Sequence, residues 1–542
     1  MPWKYLRHLI TSGGQSDKLP GMVENSAGGA AYPVDDWTRL ERFLVLGSEA
    51  GSYYASERKL TRDSAQAVIA CLLADGPAAV EAIVAVSDGG RAPKNDPAIF
   101  ALALAAASEN PLARAAALGA LSKVCRTGTH LFQFAEAVNG LRGWGRGLRR
   151  AVAHWYLDRP VDQLAYQAVK YKHREGWSHR DLLRLAHPEA DAGDKARRAL
   201  FDWMCARESD VAALPAIVRA HDAAQAAASA GEIAGLIRDH SLPREAIPPQ
   251  WMDDRDVWSA LLAEMPMTAM IRTLNRMTAA GLIAPMSEAA KHVAARIQDA
   301  TALAKARVHP LALLIAHSTY AAGRGVRGKL AWDPVVEIVD ALDRAFYLAF
   351  EQVEPTGKRI LQALDVSGSM GAGMVAGSML TPREASAALA LVTTAVEKEV
   401  HTIAFTSQGA DFFQSPNSGN ATDGVVPFPV SSHQRLDDVV TRIAGMPFGG
   451  TDCALPMLYA LERGIAADAF IIYTDSETWA GVIHPAVALK QYRERTGIPA
   501  RLVVVGMVAN GFSIADPNDA GMLDVVGFDT ATPAVIADFI RS

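Results

Sequence analysis

The chain has 542 residues, 53 Lys and Arg against 59 Asp and Glu, and a formal net charge of −6. Half of its residues are hydrophobic, enough to fill more than one core, and a chain this long is expected to form two or more domains. The acidic balance excludes a uniformly basic nucleic-acid binder, so any such function rests on local patches. No apolar run approaches the roughly 20 residues that cross a bilayer, and the opening Met1-Pro-Trp-Lys-Tyr-Leu-Arg7 lacks the long apolar core of a secretory leader. The four cysteines, Cys71, Cys125, Cys205 and Cys453, are far apart and show no Cys-x-x-Cys spacing. They form neither a zinc motif nor a disulfide framework, and they fit a reducing compartment. The expectation is a cytoplasmic protein without membrane contact.

Residues 1–33 are rich in Gly, Ser and other small side chains and are predicted to be a flexible N-terminal segment. Residues 34–354 read almost wholly as helix. Ser64–Leu73 carries apolar residues at helical spacing and stops at Asp75-Gly76; Ala78–Val86 stops at Asp88-Gly89-Gly90; Pro97–Ala107 stops near Asn110-Pro111; Leu112–Val124 follows. Short helices with brief turns predict stacked pairs of the HEAT type, although no clean period is present and a lone bundle is the alternative.

Net charge conceals an asymmetry inside this domain. Between Lys123 and His187 stand twelve Lys and Arg and only five acids, with Trp144, Trp155, Tyr156, Tyr166, Tyr171 and Trp177 interleaved. Cations for phosphates and aromatics for bases are the footprint of RNA binding. The competing reading is a solvated charged face with the aromatics in the core.

Near Glu354-Pro355-Thr356-Gly357 the texture changes, and residues 355–542 form the second domain. Arg359–Leu364, Thr402–Phe405, Phe470–Tyr473 and Leu502–Val505 read as buried strands. Glu384–Glu399, Cys453–Arg463 and Pro485–Arg495 read as helices. This alternation predicts an α/β domain with a doubly wound parallel sheet, whose ligands bind beyond the carboxyl ends of the strands.

At two of those ends stand Asp365-Val-Ser367-Gly-Ser369 and Asp475, and between them in sequence lies Gly449-Gly-Thr451-Asp452. Two carboxylates and three hydroxyls, Asp365, Ser367, Ser369, Thr451 and Asp475, make the hard-oxygen set that Mg²⁺ or another divalent cation prefers. A single Asp-x-Ser-x-Ser would be read instead as a cap on the following turn. Enzymatic readings find no support. The residue two after Asp365 is Ser367, not the second aspartate of a phosphoryl-accepting Asp-x-Asp. Neither a Ser–His–Asp arrangement nor a Gly-x-x-x-x-Gly-Lys loop is identifiable.

The second domain thus resembles a von Willebrand factor A domain with a metal-ion-dependent adhesion site. Leu40-Glu-Arg-Phe-Leu-Val-Leu-Gly-Ser-Glu-Ala-Gly-Ser-Tyr-Tyr54 and the stretch Val169–His187 resemble the TROVE module of the Ro ribonucleoprotein family. So do Gly143-Trp-Gly-Arg-Gly-Leu-Arg-Arg150, Met265-Pro-Met-Thr268, Val353–Arg359, Gly449–Met457 and Asn510–Pro517. The resemblance runs in order from about Trp37 to the C-terminus.

It implies a ring of HEAT-type repeats whose ends are joined by the von Willebrand domain. It also implies binding of small noncoding Y RNA on the outer surface, and of single-stranded 3′ ends of misfolded structured RNA through the central hole. Lys170 and His187 match family Y-RNA contacts; Lys172, Arg174, His179, Arg180 and Arg184 share that motif, and Arg142, Arg146, Arg149 and Arg150 are expected along the RNA path. In bacteria, related complexes tether the exoribonuclease polynucleotide phosphorylase. The resulting expectation is a non-enzymatic RNA-binding scaffold, monomeric within a ribonucleoprotein and acting in RNA quality control. The alternative is a metal-dependent protein-interaction module without RNA.

Overall fold

A computed structural model describes residues 14–46, 65–92, 94–306, 308–325, 329–349, 354–371, 381–407, 424–431, 434–446, 449–507, 511–526 and 532–541. Parts of three expected motifs, residues 47–54, Val353 and Asn510, lie outside these.

The chain opens with a hairpin of β1 (Val23–Glu24) and β2 (Ala30–Pro33). Helices follow, from Asp36–Leu46 to Val336–Leu348. Their starts are written in the sequence. Asn110 accepts from the N–H groups of Leu112 and Ala113 ahead of a Pro at the first helical position, and Ser178 and Asp181 form a capping box. Helix Gly76–Gly89 packs on Pro111–Val124, and Asp96–Ala107 on Gly128–Leu141. Alternate helices therefore stack in two rows, as a HEAT-type array requires. One apolar core, including Ile83, Leu102, Phe132, Trp155 and Trp258, runs through the array.

Between two of these helices the chain makes a hairpin. β3 (His173–Arg174) and β4 (Trp177–Ser178) form a hairpin across Glu175 and Gly176, with φ of 52° and 79°. Two positive φ values give the turn the twist that a two-residue hairpin needs.

The second domain holds β5 (Arg359–Asp365), β6 (Glu399–Phe405), β7 (Val425–Pro427), β8 (Ala469–Thr474), β9 (Arg501–Gly506), β10 (Phe512–Ser513) and β11 (Met522–Val526). Six of them form one sheet in the order β11-β9-β8-β5-β6-β7. The expected parallel sheet is present in five strands, and β7 adds an antiparallel edge to β6. Side chains alternate between two covered faces. Val503 and Val505 join the core beneath helices Pro382–Val396 and Leu436–Ala444, while Leu502 and Val504 join the core beneath Leu455–Arg463 and Pro485–Thr496. The strand order reverses between β5 and β8, which opens a crevice at their carboxyl ends.

Both ends of the helical domain reach this sheet domain. β2 pairs antiparallel with β10, and the buried Arg42 donates to the Phe512 carbonyl and to Asp524. At the other end Leu314 and Phe346 enter a core of the sheet, and Arg435 pairs with Asp340 at 2.7 Å. The two ends also meet directly, His309 Nε2 lying 3.1 Å from the Arg91 carbonyl. Both ends of the helical array are thus fastened to the sheet domain.

The opening segment departs from expectation. Residues 14–33 are not a loose lead-in. Gln15 is wholly buried, Asn25 is buried, and β2 is part of a sheet. Small residues there permit close approach: a Cβ on Gly29 would overlap the Thr478 carbonyl.

Candidate metal centre and basic surface

Asp365 ends β5 and Thr474 ends β8, neighbours at the reversal point of the sheet. Asp365 is fully buried; its Oδ1 accepts from the Ser367 N–H at 2.8 Å and its Oδ2 from the Thr474 hydroxyl at 2.6 Å. The Ser367 and Ser369 hydroxyls are 3.2 Å apart. Asp475 is buried beside them, its Oδ1 held by the Glu477 N–H at 2.9 Å. The Gly449–Asp452 loop closes over the same crevice. Gly368 N–H donates to the Gly449 carbonyl, the Thr406 hydroxyl to the Gly450 carbonyl, and the Asp452 N–H to the Thr406 carbonyl. Thr451, also buried, accepts at its carbonyl from the N–H groups of Trp479 and Ala480.

The five expected oxygen residues therefore come from three loops that converge on one crevice. Desolvation, then the charge of Asp475, pushes the Asp365 carboxyl up from its ordinary value. Arg383, buried beneath the loop, donates to the carbonyls of Val366 and Ser367 at 2.9 and 3.2 Å, fixing the backbone that carries the two serines. Two buried carboxylates forced together, flanked by neutral hydroxyls, match the donor chemistry of a hard divalent cation. Among the described residues no group of three or more His, Cys, Asp or Glu side chains is placed to hold a metal, so a site here depends on its hydroxyls.

Four residues around this crevice escaped the sequence reading. Thr474 carried a legible signal, a hydroxyl at the end of a buried strand next to an aspartate. Thr406, Arg383 and Gln15 carried none.

The basic residues divide into surface and core. Arg146, Arg149 and Arg150 are exposed on the first turns of helix Arg146–Leu157, and Arg142 is exposed at the end of the preceding helix. Lys172 and Arg174 are exposed on and beside the β3–β4 hairpin, Arg174 pairing with Glu175 at 3.0 Å. Arg180 and Arg184 are exposed at i, i+4 on helix His179–Ala186, and His187 caps its end in the left-handed conformation, also exposed. Lys170 is half-buried; its Nζ lies 3.2 Å from the Tyr166 hydroxyl and 5.3 and 5.5 Å from the ring centres of Tyr166 and Tyr171.

His179 contradicts its expected role. It is 4 % exposed, bonded through Nδ1 to the Tyr156 hydroxyl at 2.8 Å and packed edge-on to Phe132 at 4.8 Å. Burial pushes its pKa down to about 4, so it is a neutral core residue and not a phosphate contact. Trp155 and Tyr156 are likewise core, whereas Trp144 and Trp177 stand half-buried with rings 5.5 Å apart.

Comparison with known proteins places both domains. Residues 359–540 match the Ro60 vWA domain, and residues 23–227 and 222–320 match the TROVE domain. The RNA-binding protein RO60 of Deinococcus radiodurans is 42 % identical over 524 residues, 96 % of this chain and 95 % of that protein. The RNA-binding protein RO60 of Caenorhabditis elegans is 36 % identical over 96 % of this chain and 90 % of its own length. The crystal structure of the Deinococcus radiodurans RO (RSR) protein superimposes with a TM-score of 0.70 at 41 % identity, covering 94 % of this chain and 99 % of that one. This chain, a helical TROVE domain followed by a vWA domain, belongs to the Ro60 family.

Proposed function

We propose that the chain is an RNA-binding scaffold and not an enzyme. Lys170, Lys172, Arg174, Arg180, Arg184 and His187 take a small noncoding Y-like RNA on the outer surface. Arg142, Arg146, Arg149 and Arg150 line the path of single-stranded 3′ ends of misfolded structured RNA through the hole of the helical ring. The protein acts as a monomer within a cytoplasmic ribonucleoprotein, in RNA quality control, and passes its RNA to an exoribonuclease such as polynucleotide phosphorylase. The observation that carries this reading is the exposure of nine of its eleven basic candidates, in a chain whose relatives are named RNA-binding proteins. Among the described residues no helix is long and apolar enough to cross a membrane.

Asp365, Ser367, Ser369, Thr451 and Asp475 hold Mg²⁺ or another divalent cation in this reading. Bound there, the ion balances the two buried carboxylates and offers a position to an acidic group of a partner protein. The support is the convergence of the three loops that carry these residues and the mutual repulsion of Asp365 and Asp475.

A salt-titrated mobility shift tests the RNA reading. A Y-like hairpin RNA and a duplex with a single-stranded 3′ tail should both bind, and log K should fall linearly with log salt, with a slope set by the phosphates contacted. Absence of binding at low salt sinks the reading.

A further inference from the structure

Gln15 sits at the junction of the two loops that carry Thr451 and Asp475, and every polar group it owns is engaged there. Its Nε2 donates to Asp452 Oδ1 and to the Ile483 carbonyl, each at 2.7 Å. Its Oε1 accepts from the Thr478 hydroxyl and from the Gly481 N–H. Its backbone N–H donates to the Gly481 carbonyl at 2.9 Å, and its carbonyl accepts from Ala30 at 2.7 Å. Thr478 continues the chain, accepting at its hydroxyl from the Cys453 N–H at 3.1 Å. A single amide thus spans from the residue after Thr451 to the third and sixth residues after Asp475.

The rest of the opening segment grips the second loop. Asn25 Nδ2 donates to the Thr478 carbonyl at 2.8 Å, and His484 Nε2 lies 2.8 Å from the Asp17 carbonyl. The fit leaves no slack: a Cβ on Gly481 would overlap both Asp452 Oδ1 and Gln15 Nε2. None of these groups is a ligand in the reading above, and an N-terminal segment has no evident reason to bury an amide at such a place unless the loops need bracing.

We propose that residues 14–33 are an intramolecular clamp on the metal centre, with Gln15 as the positioning residue that holds the Thr451 and Asp475 loops in register for a divalent cation. The inference rests on the metal reading above. Groups that orient the ligands of a metal typically carry about 10–100-fold in its affinity. Clamp and first helix are one continuous chain from β2 into Asp36–Leu46, so the brace ties the centre to the start of the helical array.

Calorimetric titration of the full-length chain with Mn²⁺ and Mg²⁺ tests it. Gln15→Met keeps the volume and removes the bonds. Thr478→Val removes one hydroxyl at nearly constant size, and Thr478→Ser keeps it. Gln15→Met and Thr478→Val should each weaken divalent binding about 10–100-fold, while Thr478→Ser retains the wild-type affinity and thermal melting shows all three folded. Should Gln15→Met fail to fold, the Thr478→Val and Thr478→Ser pair decides alone. Wild-type affinity in a folded Gln15→Met, or in Thr478→Val, overturns the clamp and leaves the metal reading standing. If the wild-type chain itself binds no divalent cation, the metal reading falls and the clamp with it.

Discussion

His179 separates a surface from a core reading of the basic stretch, and it does so through pH. Its pKa is lowered from 6.5 to about 4 by burial against Phe132, Trp155 and Tyr156. In the unfolded chain it titrates near the ordinary value, about 6.5. As pH falls below that value the unfolded state takes up a proton that the folded state refuses, so folding stability falls with it. The full effect, about 2.5 units at 1.36 kcal/mol each, is about 3 kcal/mol, lost between roughly pH 6.5 and 4. Between pH 7 and 5 about 2 kcal/mol of it is expressed. His179→Phe should lose about 1 kcal/mol at pH 7, for the missing bond to the Tyr156 hydroxyl, and should show a correspondingly flatter decline towards pH 5. Histidine-selective ¹³C NMR reads the titration directly, and denaturation at the two pH values reads its consequence. A resonance of His179 titrating near pH 6.5, or an unchanged pH slope in His179→Phe, would refute the reasoning. RNA affinity at pH 7 should be the same in the folded variant as in the wild type.

Asp365→Asn should abolish divalent binding in calorimetry while RNA affinity stays within about twofold, because metal and basic residues sit in separate domains; each lost charge-assisted contact would otherwise cost about tenfold. Replacing Arg146, Arg149 and Arg150 together by Ala should reduce the salt slope for a single-stranded tail by about 0.7 per lost phosphate contact, at most about 2 in all, read by mobility shift over a range of salt. Lys170→Ala with His187→Ala should weaken a Y-like RNA more than a free 3′ tail; equal losses would exclude separate sites. Asp524→Ala removes the carboxylate that Arg42 Nη2 and the Ser513 hydroxyl donate to and should loosen the β2–β10 junction, seen as faster hydrogen exchange in those strands.

How far the sequence could be read depended on how local each signal was. Buried runs such as Phe470–Tyr473 and the aspartates at their ends follow from strand periodicity and the strand-end rule, so both carboxylates were legible. Helix boundaries at Asp75-Gly76 and Asn110-Pro111 were legible because cap chemistry is local. His179 was readable too: it shares a helix face with the buried Leu182 and Leu183 at i+3 and i+4, while Arg180 and Arg184 share another. The motif resemblance had grouped His179 with Arg180 and Arg184 as contacts. The hairpin at residues 173–178 was hidden because Glu-Gly is a weaker turn signal than Asn-Gly or Asp-Gly. Gln15 was out of reach in principle. The partners of its side chain stand more than 430 positions away in the chain, and a polar amide among glycines and serines looks the same whether it is solvated or buried.

The fastening of the helical array to the sheet domain also bears on what a salt titration measures. Its contacts with the sheet domain are of unequal kinds. The Arg435–Asp340 pair is more than 40 % exposed on both sides, and salt screens such pairs. The Arg42–Asp524 pair is nearly buried, β2 and β10 join through backbone hydrogen bonds, and Leu314 and Phe346 are held by apolar burial. Moderate salt weakens none of these three appreciably, and rising salt strengthens rather than loosens apolar contacts when the anion is strongly hydrated. An array fastened mainly by screened-out charges would come loose as salt rose, and a fall in RNA affinity would then mix that loosening with lost phosphate contacts. Fastened as they are, both ends are expected to stay attached to the sheet domain over that range. The slope of log K against log salt is then expected to count phosphates, and a slope that differs between the hairpin and the tailed RNA would distinguish the two RNA surfaces proposed above.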